Sequence, residues 1–229
     1  MGRGFFLAGS KPSYCLRIYD FDKVITIKPS FEVETDNASV QKNTKKDIKS
    51  VLVQPDPIFA ICSYLDSPDN IVTYLSLIFR QKPVVVMEKE FKVHSERMKQ
   101  EIHAFTLTEL SFENLPYPVC VTTLPKRTGT VDEKTGEKNS AYKNAREALK
   151  ESRKNIPMTA IIQYYIERNM LDPHQLRLSF YDDDRSNVDT FLELSIPGLN
   201  LSVEGYYVIP DREDFETEKA GFGLVSSRI

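Results

Sequence analysis

The sequence predicts an α+β protein in which a mixed or antiparallel sheet of short strands packs against about four helices. Apolar residues recur at helical spacing in segments such as Ile71–Phe79 and Met158–Met170. Short β-branched or alternating runs, such as Pro83–Val93 and Gln175–Tyr181, have the period of strands instead. Because 229 residues can bury a sizeable core, we predict one domain that spans residues 1–229.

The amino-terminal segment begins with a glycine-rich arm at residues 1–12, which no hydrophobic pattern ties to a core. Tyr14–Tyr19 and Lys23–Glu34 follow as predicted strands of a hairpin, with the turn at Asp20–Lys23. Residues 35–50 are polar and rich in lysine, and they predict a solvated loop.

The densest apolar stretch, Asp56–Val93, predicts two helices and a strand. Asp56 and Pro57 form a helix start signal ahead of the apolar residues 58–65. Ser67-Pro68-Asp69 repeats that signal before a second helix, which Pro83 ends. The β-branched run from Val84 then predicts a strand that continues to Val93.

The rest of the chain alternates between the two kinds of element. His94–His103 and Ala141–Lys154 are charged and predict surface helices, whereas Met158–Met170 has a broader apolar face. The remaining predicted elements are strands at Phe105–Leu110, Pro118–Leu124 and Gln175–Tyr181, a flexible loop at residues 125–140 and an extended tail at residues 211–229.

The composition is that of a globular intracellular protein. Apolar residues make up 41% of the chain and charged residues 28%, which argues against wholesale disorder. The three cysteines are far apart and match neither a zinc spacing nor a disulfide framework. Because no apolar run has membrane-spanning length, we expect a cytoplasmic protein. We also expect no cofactor.

One short motif indicates an enzyme. Pro68-Asp69, followed later by Glu90-Phe91-Lys92, resembles the signature of PD-(D/E)xK nucleases. The resemblance implies that Asp69 and Glu90 hold a divalent metal ion and that Lys92 assists the attacking water. A predicted helix start at Asp69 is the structural alternative, so the nuclease is an alternative hypothesis.

A lysine cluster supports a second alternative, a nucleic-acid-binding module. Lys42, Lys45, Lys46 and Lys49 lie in one predicted loop, and the helix at residues 143–154 adds further basic residues. The net charge of −3 gives no global support for this hypothesis, and a solvated loop is the simpler interpretation.

Two further patterns each allow two interpretations. Asp182, Asp184 and Glu193 fall at ligand positions of an EF-hand calcium loop, which this segment resembles, or they belong to an acidic turn. Leu192–Leu201 resembles a leucine-rich nuclear export signal, which implies shuttling to the nucleus, or it forms a β-hairpin around Pro197 and Gly198.

The leading hypothesis is a non-enzymatic interaction or assembly protein, such as a viral structural or accessory component. No nucleotide loop, nucleophile elbow or zinc motif is present in the sequence. Aromatic and aliphatic residues near the two ends would contact a protein partner or a second copy of the chain. These candidate partner-binding residues are Phe5, Phe6, Phe215, Phe222 and Leu224.

Overall fold

The structure, a computed structural model, describes residues 15–26, 42–50, 52, 57–127, 139–150, 152–209 and 217–226. In this part of the chain, eight strands form one mixed sheet accompanied by five helices, which confirms the predicted α+β class. The predicted arm at residues 1–12 lies outside the described residues, as do residues 128–138 of the predicted loop. No described helix is long and apolar enough to cross a membrane.

The elements follow one another along the chain with these bounds: β1 (Cys15–Tyr19), α1 (Lys42–Ser50), β2 (Pro57–Cys62), α2 (Asp69–Phe79), β3 (Val84–Ser95), β4 (Gln100–Ser111), β5 (Val119–Thr123), α3 (Ser140–Ala148), α4 (Asn155–Glu167), β6 (Leu176–Asp182), α5 (Arg185–Leu192), β7 (Asn200–Val208) and β8 (Thr217–Ser226). The strand order in the sheet is β3-β4-β5-β2-β1-β6-β7-β8.

The centre of the sheet is parallel and its two margins are antiparallel. Strands β5, β2, β1, β6 and β7 run in the same direction, so their carboxyl ends lie along one edge of the sheet. From β1 the chain adds β2 and later β5 on one side, and then places β6 and β7 on the other. The order therefore reverses between β1 and β6, which is where open sheets of this kind form a ligand crevice.

A buried tyrosine of α4 ties the helix to the sheet. The Tyr165 hydroxyl accepts a hydrogen bond from the Cys120 amide at 3.1 Å. It also lies 2.9 Å from the carbonyl oxygen of Pro118 and 3.1 Å from that of Phe59, either of which can accept its proton. One side chain thus joins α4 to β2 and to the start of β5, and burial keeps its pKa well above the usual range.

The predicted helix at residues 58–65 is wrong, because Pro57–Cys62 forms β2. Every residue of β2 is buried, with β1 on one side and β5 on the other. A strand that is buried on both faces carries a continuous apolar run, which periodicity alone cannot distinguish from a buried helix. The predicted start signal at Asp56 lies outside the described residues.

Three other local predictions are also corrected. His94–His103 is the end of a long hairpin, with a turn at residues 96–99, instead of a helix. Lys42–Ser50 is helix α1 instead of loop, because Thr44 and Ile48 are buried and the Thr44 hydroxyl donates to the Val24 carbonyl at 2.7 Å. The predicted amino-terminal hairpin does not form around β1, since β2 and β6 occupy both of its edges.

The predicted hairpin at Leu192–Leu201 is also wrong, because its two halves do not pair with each other. Residue 192 ends α5, and β7 pairs in parallel with β6 instead of folding back on the preceding segment. Gly198 does occupy a turn and has φ +81°, a conformation that favours glycine. Thr217–Ser226, within the predicted tail, is β8 and pairs with β7.

The other predicted elements in the described part of the chain are confirmed. Helix α2 begins at Asp69 and ends before Arg80, whose φ of +56° closes the helix. The remaining confirmed elements are β1, β3, β4, β5, α3, α4 and β6, with ends that differ by a few residues from the predicted ones.

Candidate active site

A buried ammonium group and three carboxylates meet at the carboxyl edge of the sheet, between β1 and β6. Asp20 follows the last residue of β1, while Asp182 ends β6 and Asp183 follows it. Lys154 lies in the turn before α4. Its Nζ atom is 2.7 Å from Asp20 Oδ1 and 2.7 Å from Asp182 Oδ2. The cluster therefore lies at the point where the strand order reverses.

Asp182 has hydrogen-bond donors around both of its oxygens. Besides the Lys154 bond to Oδ2, the Asp184 amide donates to Oδ1 at 2.7 Å. The Asn187 side-chain amide lies 3.2 Å from Oδ1 and 3.1 Å from Oδ2. Since its side chain is completely buried, Asp182 is suited to holding Lys154 in place.

Burial by itself would lower the pKa of Lys154. The carboxylates of Asp182 and Asp20 outweigh that effect and raise the pKa well above its usual value. Both carboxylates therefore favour the charged form of Lys154. A buried ammonium group that is held in its charged form is a suitable partner for an anionic ligand as well as for its two carboxylates.

Asp20 is the carboxylate of the pair that a ligand can reach. Its side chain keeps 12% of its surface exposed, whereas Asp182 has none. Burial raises the pKa of Asp20, and repulsion from Asp182 and Asp183 adds to that rise against the lowering effect of Lys154. Burial and the charge of Asp182 also raise the pKa of Asp183, despite Lys23 Nζ at 3.6 Å from its Oδ2 atom.

The three carboxylates fit a hard divalent cation. One oxygen from each of Asp20, Asp182 and Asp183 lies within 4.8 Å of the others. When all three carboxylates are ionised, their negative charge exceeds the positive charge of the Lys154 and Lys23 ammonium groups. Oxygen-only ligands suit Mg²⁺ better than zinc, which favours nitrogen and sulfur ligands.

Two neighbouring segments lie at the same edge of the sheet as the cluster. Ser63 follows β2 at the same edge, and its amide donates to the Thr122 carbonyl at 3.1 Å. Tyr64 follows it, and Lys154 Nζ lies 5.5 Å from the centre of the Tyr64 ring. Asp22 lies in the turn directly after Asp20, where the backbone of residues 21–26 closes on itself.

The residues proposed for a nuclease are only partly brought together. Asp69, in the first turn of α2, and Glu90, on β3, line the same cavity. Lys92 also lies on β3, pairs with His103 of β4 and does not line that cavity. The Asp69 amide donates to the Ser67 hydroxyl at 3.2 Å, as expected at a helix start, and that hydroxyl donates to the Asp69 carboxylate at 2.6 Å.

The EF-hand positions separate in the structure. Asp182 belongs to the buried cluster, whereas Asp184 caps α5 and accepts from the Ser186 amide at 2.9 Å. Glu193 follows the end of α5 and is exposed. Between Leu192 and Leu201, several of the aliphatic side chains expected to face an export receptor are buried, namely Leu194, Ile196 and Leu201.

The lysines proposed for nucleic-acid binding lie on α1. Lys46 is exposed and Lys45 and Lys49 are half-buried, while the side chain of Lys42 is outside the described part of the structure. Asp47 of the same helix pairs with Arg17 and accepts from the Tyr19 hydroxyl.

The candidate partner-binding residues are largely outside the structural description. Phe5, Phe6 and Phe215 are not described. The backbone of Phe222 and Leu224 belongs to β8, but their side chains are not described.

Sequence reasoning missed Asp20 and Lys154 as site residues. Asp20 was expected in a hairpin turn, and Lys154 at the end of a charged surface helix. The available signal was the repeated pattern of a strand that ends in acids, Tyr19-Asp20 and Tyr181-Asp182-Asp183. It indicates a shared site only if the two strands are parallel neighbours, as they are here.

No protein-family model, curated protein or solved structure matches the chain.

Proposed function

We propose that the protein is a Mg²⁺-dependent phosphatase that hydrolyses a phosphomonoester through the carboxylate of Asp20. The observation that carries the proposal is the buried Lys154 ammonium group between Asp20 and Asp182 at the reversal of the strand order, with Asp183 beside it. Clusters of ionisable groups with perturbed pKa values in such a crevice are typical of catalytic sites.

A transferring phosphoryl group needs these charges. Its oxygens carry negative charge through the transition state, so positioned cations supply much of the catalysis. Lys154 is such a cation, already fixed before substrate binds. A Mg²⁺ ion held by Asp20 and Asp183, with Asp182 keeping Lys154 in place, would neutralise further phosphate charge and lower the repulsion between the phosphate and the carboxylates.

Asp20 is the nucleophile in this proposal, since its side chain is the accessible member of the ion-paired carboxylates. Its oxygen forms a bond to phosphorus while the bond from phosphorus to the leaving oxygen breaks, and Asp22 donates a proton to that oxygen. Water then attacks the phosphorus of the acyl phosphate and gives its proton to Asp22. This step releases inorganic phosphate and restores the Asp20 carboxylate.

Hydrolysis of p-nitrophenyl phosphate with and without Mg²⁺ tests the proposal. We expect Mg²⁺-dependent turnover that Asp20→Asn lowers by at least about 10³-fold, because the nucleophile is lost. Asp189→Asn is the matched control, since Asp189 is an exposed acid of α5 that pairs with Arg185. Its rate should remain that of the unmodified protein.

The covalent intermediate gives a second test. Acid quenching during turnover should leave the mass of one phosphoryl group on the peptide that contains Asp20, and hydroxylamine should remove it. A Mg²⁺-dependent rate without that adduct, and with Asp20→Asn still active, would show that another group attacks phosphorus. No hydrolysis of any phosphomonoester would refute the proposal.

A second candidate function, self-association, is favoured by the edge of the sheet. Among the described residues, strand β3 has β4 as its one neighbour, and Val84, Val85 and Val86 of β3 are 66%, 49% and 55% exposed. An exposed strand edge that begins with apolar residues is a template for pairing with another chain. Two antiparallel copies of β3 could pair Glu88 with Lys89 of the other copy, which is favourable across strands.

Sedimentation analysis tests this second function. The unmodified protein should form a dimer, and Val85→Lys should shift it to the monomer because a charge on the edge strand disfavours pairing. A protein that stays monomeric at every concentration would rule out self-association through β3.

A further inference from the structure

Lys23 lies in the turn after β1, beside the carboxylates of the candidate site. Its Nζ atom is 3.6 Å from Asp183 Oδ2, and its side chain is 36% exposed. One oxygen of Asp183 lies within 4.8 Å of one oxygen of Asp20. A phosphoryl group bonded to Asp20 would therefore be within reach of Lys23, which carries its charge at the end of a flexible four-carbon stem.

The backbone of this turn fixes the position of Lys23. The Lys23 amide donates to Thr26 Oγ1 at 3.0 Å, and the Ile25 amide donates to the Phe21 carbonyl at 3.0 Å. Lys23 has φ +62°, a conformation that glycine adopts more readily than lysine. The backbone therefore gives no preference for lysine at this position, and the reason for a lysine has to come from its side chain.

The two lysines of the site differ in how firmly they are held. Lys154 Nζ lies 2.7 Å from Asp20 and 2.7 Å from Asp182, and its side chain is 3% exposed. The Lys23–Asp183 distance of 3.6 Å is longer than a charge-assisted hydrogen bond, which measures about 2.7–2.9 Å. A partly exposed ion pair of this kind contributes little stability. Lys23 is therefore the cation that can move.

The charges of the site indicate when Lys23 would move. The ammonium groups of Lys154 and Lys23 carry less charge than the three carboxylates when all of these are ionised. A Mg²⁺ ion on Asp183 reverses this balance, because it adds two positive charges. Lys23 and the metal ion need the same carboxylate and repel each other. Since the metal ion has the higher charge, it would keep Asp183, and Lys23 would lose its partner in the cluster.

We propose that Lys23 is a second phosphate-binding residue, whose ammonium group is released from Asp183 when Mg²⁺ binds that carboxylate. The inference rests on the proposed phosphatase function and adds that Mg²⁺ and the phosphomonoester bind cooperatively. The released ammonium group donates a hydrogen bond to an oxygen of the phosphoryl group at Asp20, while Lys154 stays between Asp20 and Asp182. Both lysines then stabilise the negative charge of the phosphoryl oxygens.

Lys23→Met separates this role from a structural one, because it should change two affinities in opposite directions. Calorimetry with Mg²⁺ alone should show binding that is at least about threefold tighter, since the competing ammonium group is absent. Calorimetry with inorganic phosphate at saturating Mg²⁺ should show binding that is at least about tenfold weaker, since a charge-assisted hydrogen bond is lost. A lysine with only a structural role would weaken the binding of both ligands or of neither.

Three other variants connect the two affinities to the Lys23 ammonium group. Lys23→Arg keeps the charge and should hold phosphate within about threefold of the unmodified protein. Asp183→Asn should bind phosphate more tightly than the unmodified protein when both are measured without Mg²⁺, and adding Lys23→Met should remove this gain. Lys82→Met is the matched control, since Lys82 is exposed and precedes β3 at the opposite edge of the sheet. It should change neither affinity.

These measurements separate the inference from the proposed function, because inorganic phosphate binds without turnover. Tighter Mg²⁺ binding together with weaker phosphate binding in Lys23→Met supports the role of Lys23, even if no ester is hydrolysed. Weaker binding of both ligands, or no change in either, would overturn it. Hydrolysis of p-nitrophenyl phosphate that requires Asp20, together with unchanged phosphate affinity in Lys23→Met, retains the phosphatase and refutes the role of Lys23.

Discussion

Replacing Lys154 with methionine tests whether the buried ammonium group neutralises the acids around it. The side chain of Lys154 is 3% exposed, and its Nζ atom contacts both Asp20 and Asp182 at 2.7 Å. Methionine fills a similar volume without a charge. Lys154→Met therefore leaves two buried carboxylates without their shared cation, while the hydrogen bonds from Asn187 and the Asp184 amide to Asp182 remain.

The expected loss of stability is large for a single substitution. Removing one partner of a buried ion pair typically costs about 3–5 kcal/mol, because it leaves an uncompensated charge. For a protein of this size each kcal/mol lowers Tm by roughly 2–4 °C, so the melting temperature should fall by roughly 6–20 °C. Urea unfolding and a thermal scan both measure this difference.

The pH dependence identifies the carboxylates as the cause. Burial raises the pKa of Asp20 in the folded protein, and the loss of Lys154 would raise it further. A raised folded-state pKa contributes stability at acidic pH that is lost as the pH rises through it. The deficit of Lys154→Met relative to the unmodified protein should therefore be greatest above about pH 8 and should shrink towards about pH 5.

Lys150→Met is the matched control, since Lys150 is exposed. Its free energy of unfolding should change by no more than about 0.5 kcal/mol. A deficit of less than about 1 kcal/mol for Lys154→Met, or one that is equal at every pH, would refute the argument that Lys154 neutralises buried carboxylates.

Three further predictions concern the helices, the sheet and the metal site. Tyr165→Phe should lower the free energy of unfolding by about 1–3 kcal/mol, because the Cys120 amide loses its hydrogen-bond partner. Urea unfolding measures this difference, and Tyr207→Phe, at a half-buried position of β7, is the control. Gly205→Ala should destabilise by about 1–3 kcal/mol, since its new Cβ would lie 2.6 Å from Val188 Cγ1, and an unchanged Tm would contradict the close packing of β7 on α5. Apparent Mg²⁺ affinity should rise up to about tenfold per pH unit below the raised pKa of Asp20, because Mg²⁺ must displace its proton; calorimetry that finds no pH dependence would contradict this.

Local signals were sufficient for elements whose patterns are set by near neighbours. Helix α2 was predicted because its apolar spacing and its start and stop residues lie within one short segment. Strand β3 was predicted from its β-branched start and its alternation. The β2 segment has no comparable signal, because its uniform burial comes from β1 and β5, and the latter follows almost sixty residues later in the chain.

The candidate site was harder to predict because it depends on which strands are neighbours. Asp182 was recognised as a metal-ligand candidate, but Asp184 and Glu193 were its expected companions since they are close in sequence. Its actual neighbours, Asp20 and Lys154, come from distant segments that meet only when β1 and β6 pair in parallel. Sequence periodicity predicts a strand and carries no information about its partner.

The energetics of the ion pair favour a functional explanation for it. A buried pair of opposite charges is often no more stabilising than apolar residues of the same volume, because both ions lose their hydration. Stability alone therefore gives no reason to place Lys154 and Asp182 at the carboxyl edge of the sheet. Binding of an anionic substrate does give a reason for this placement, because a cation that is already held by carboxylates needs no reorganisation when a phosphoryl group arrives.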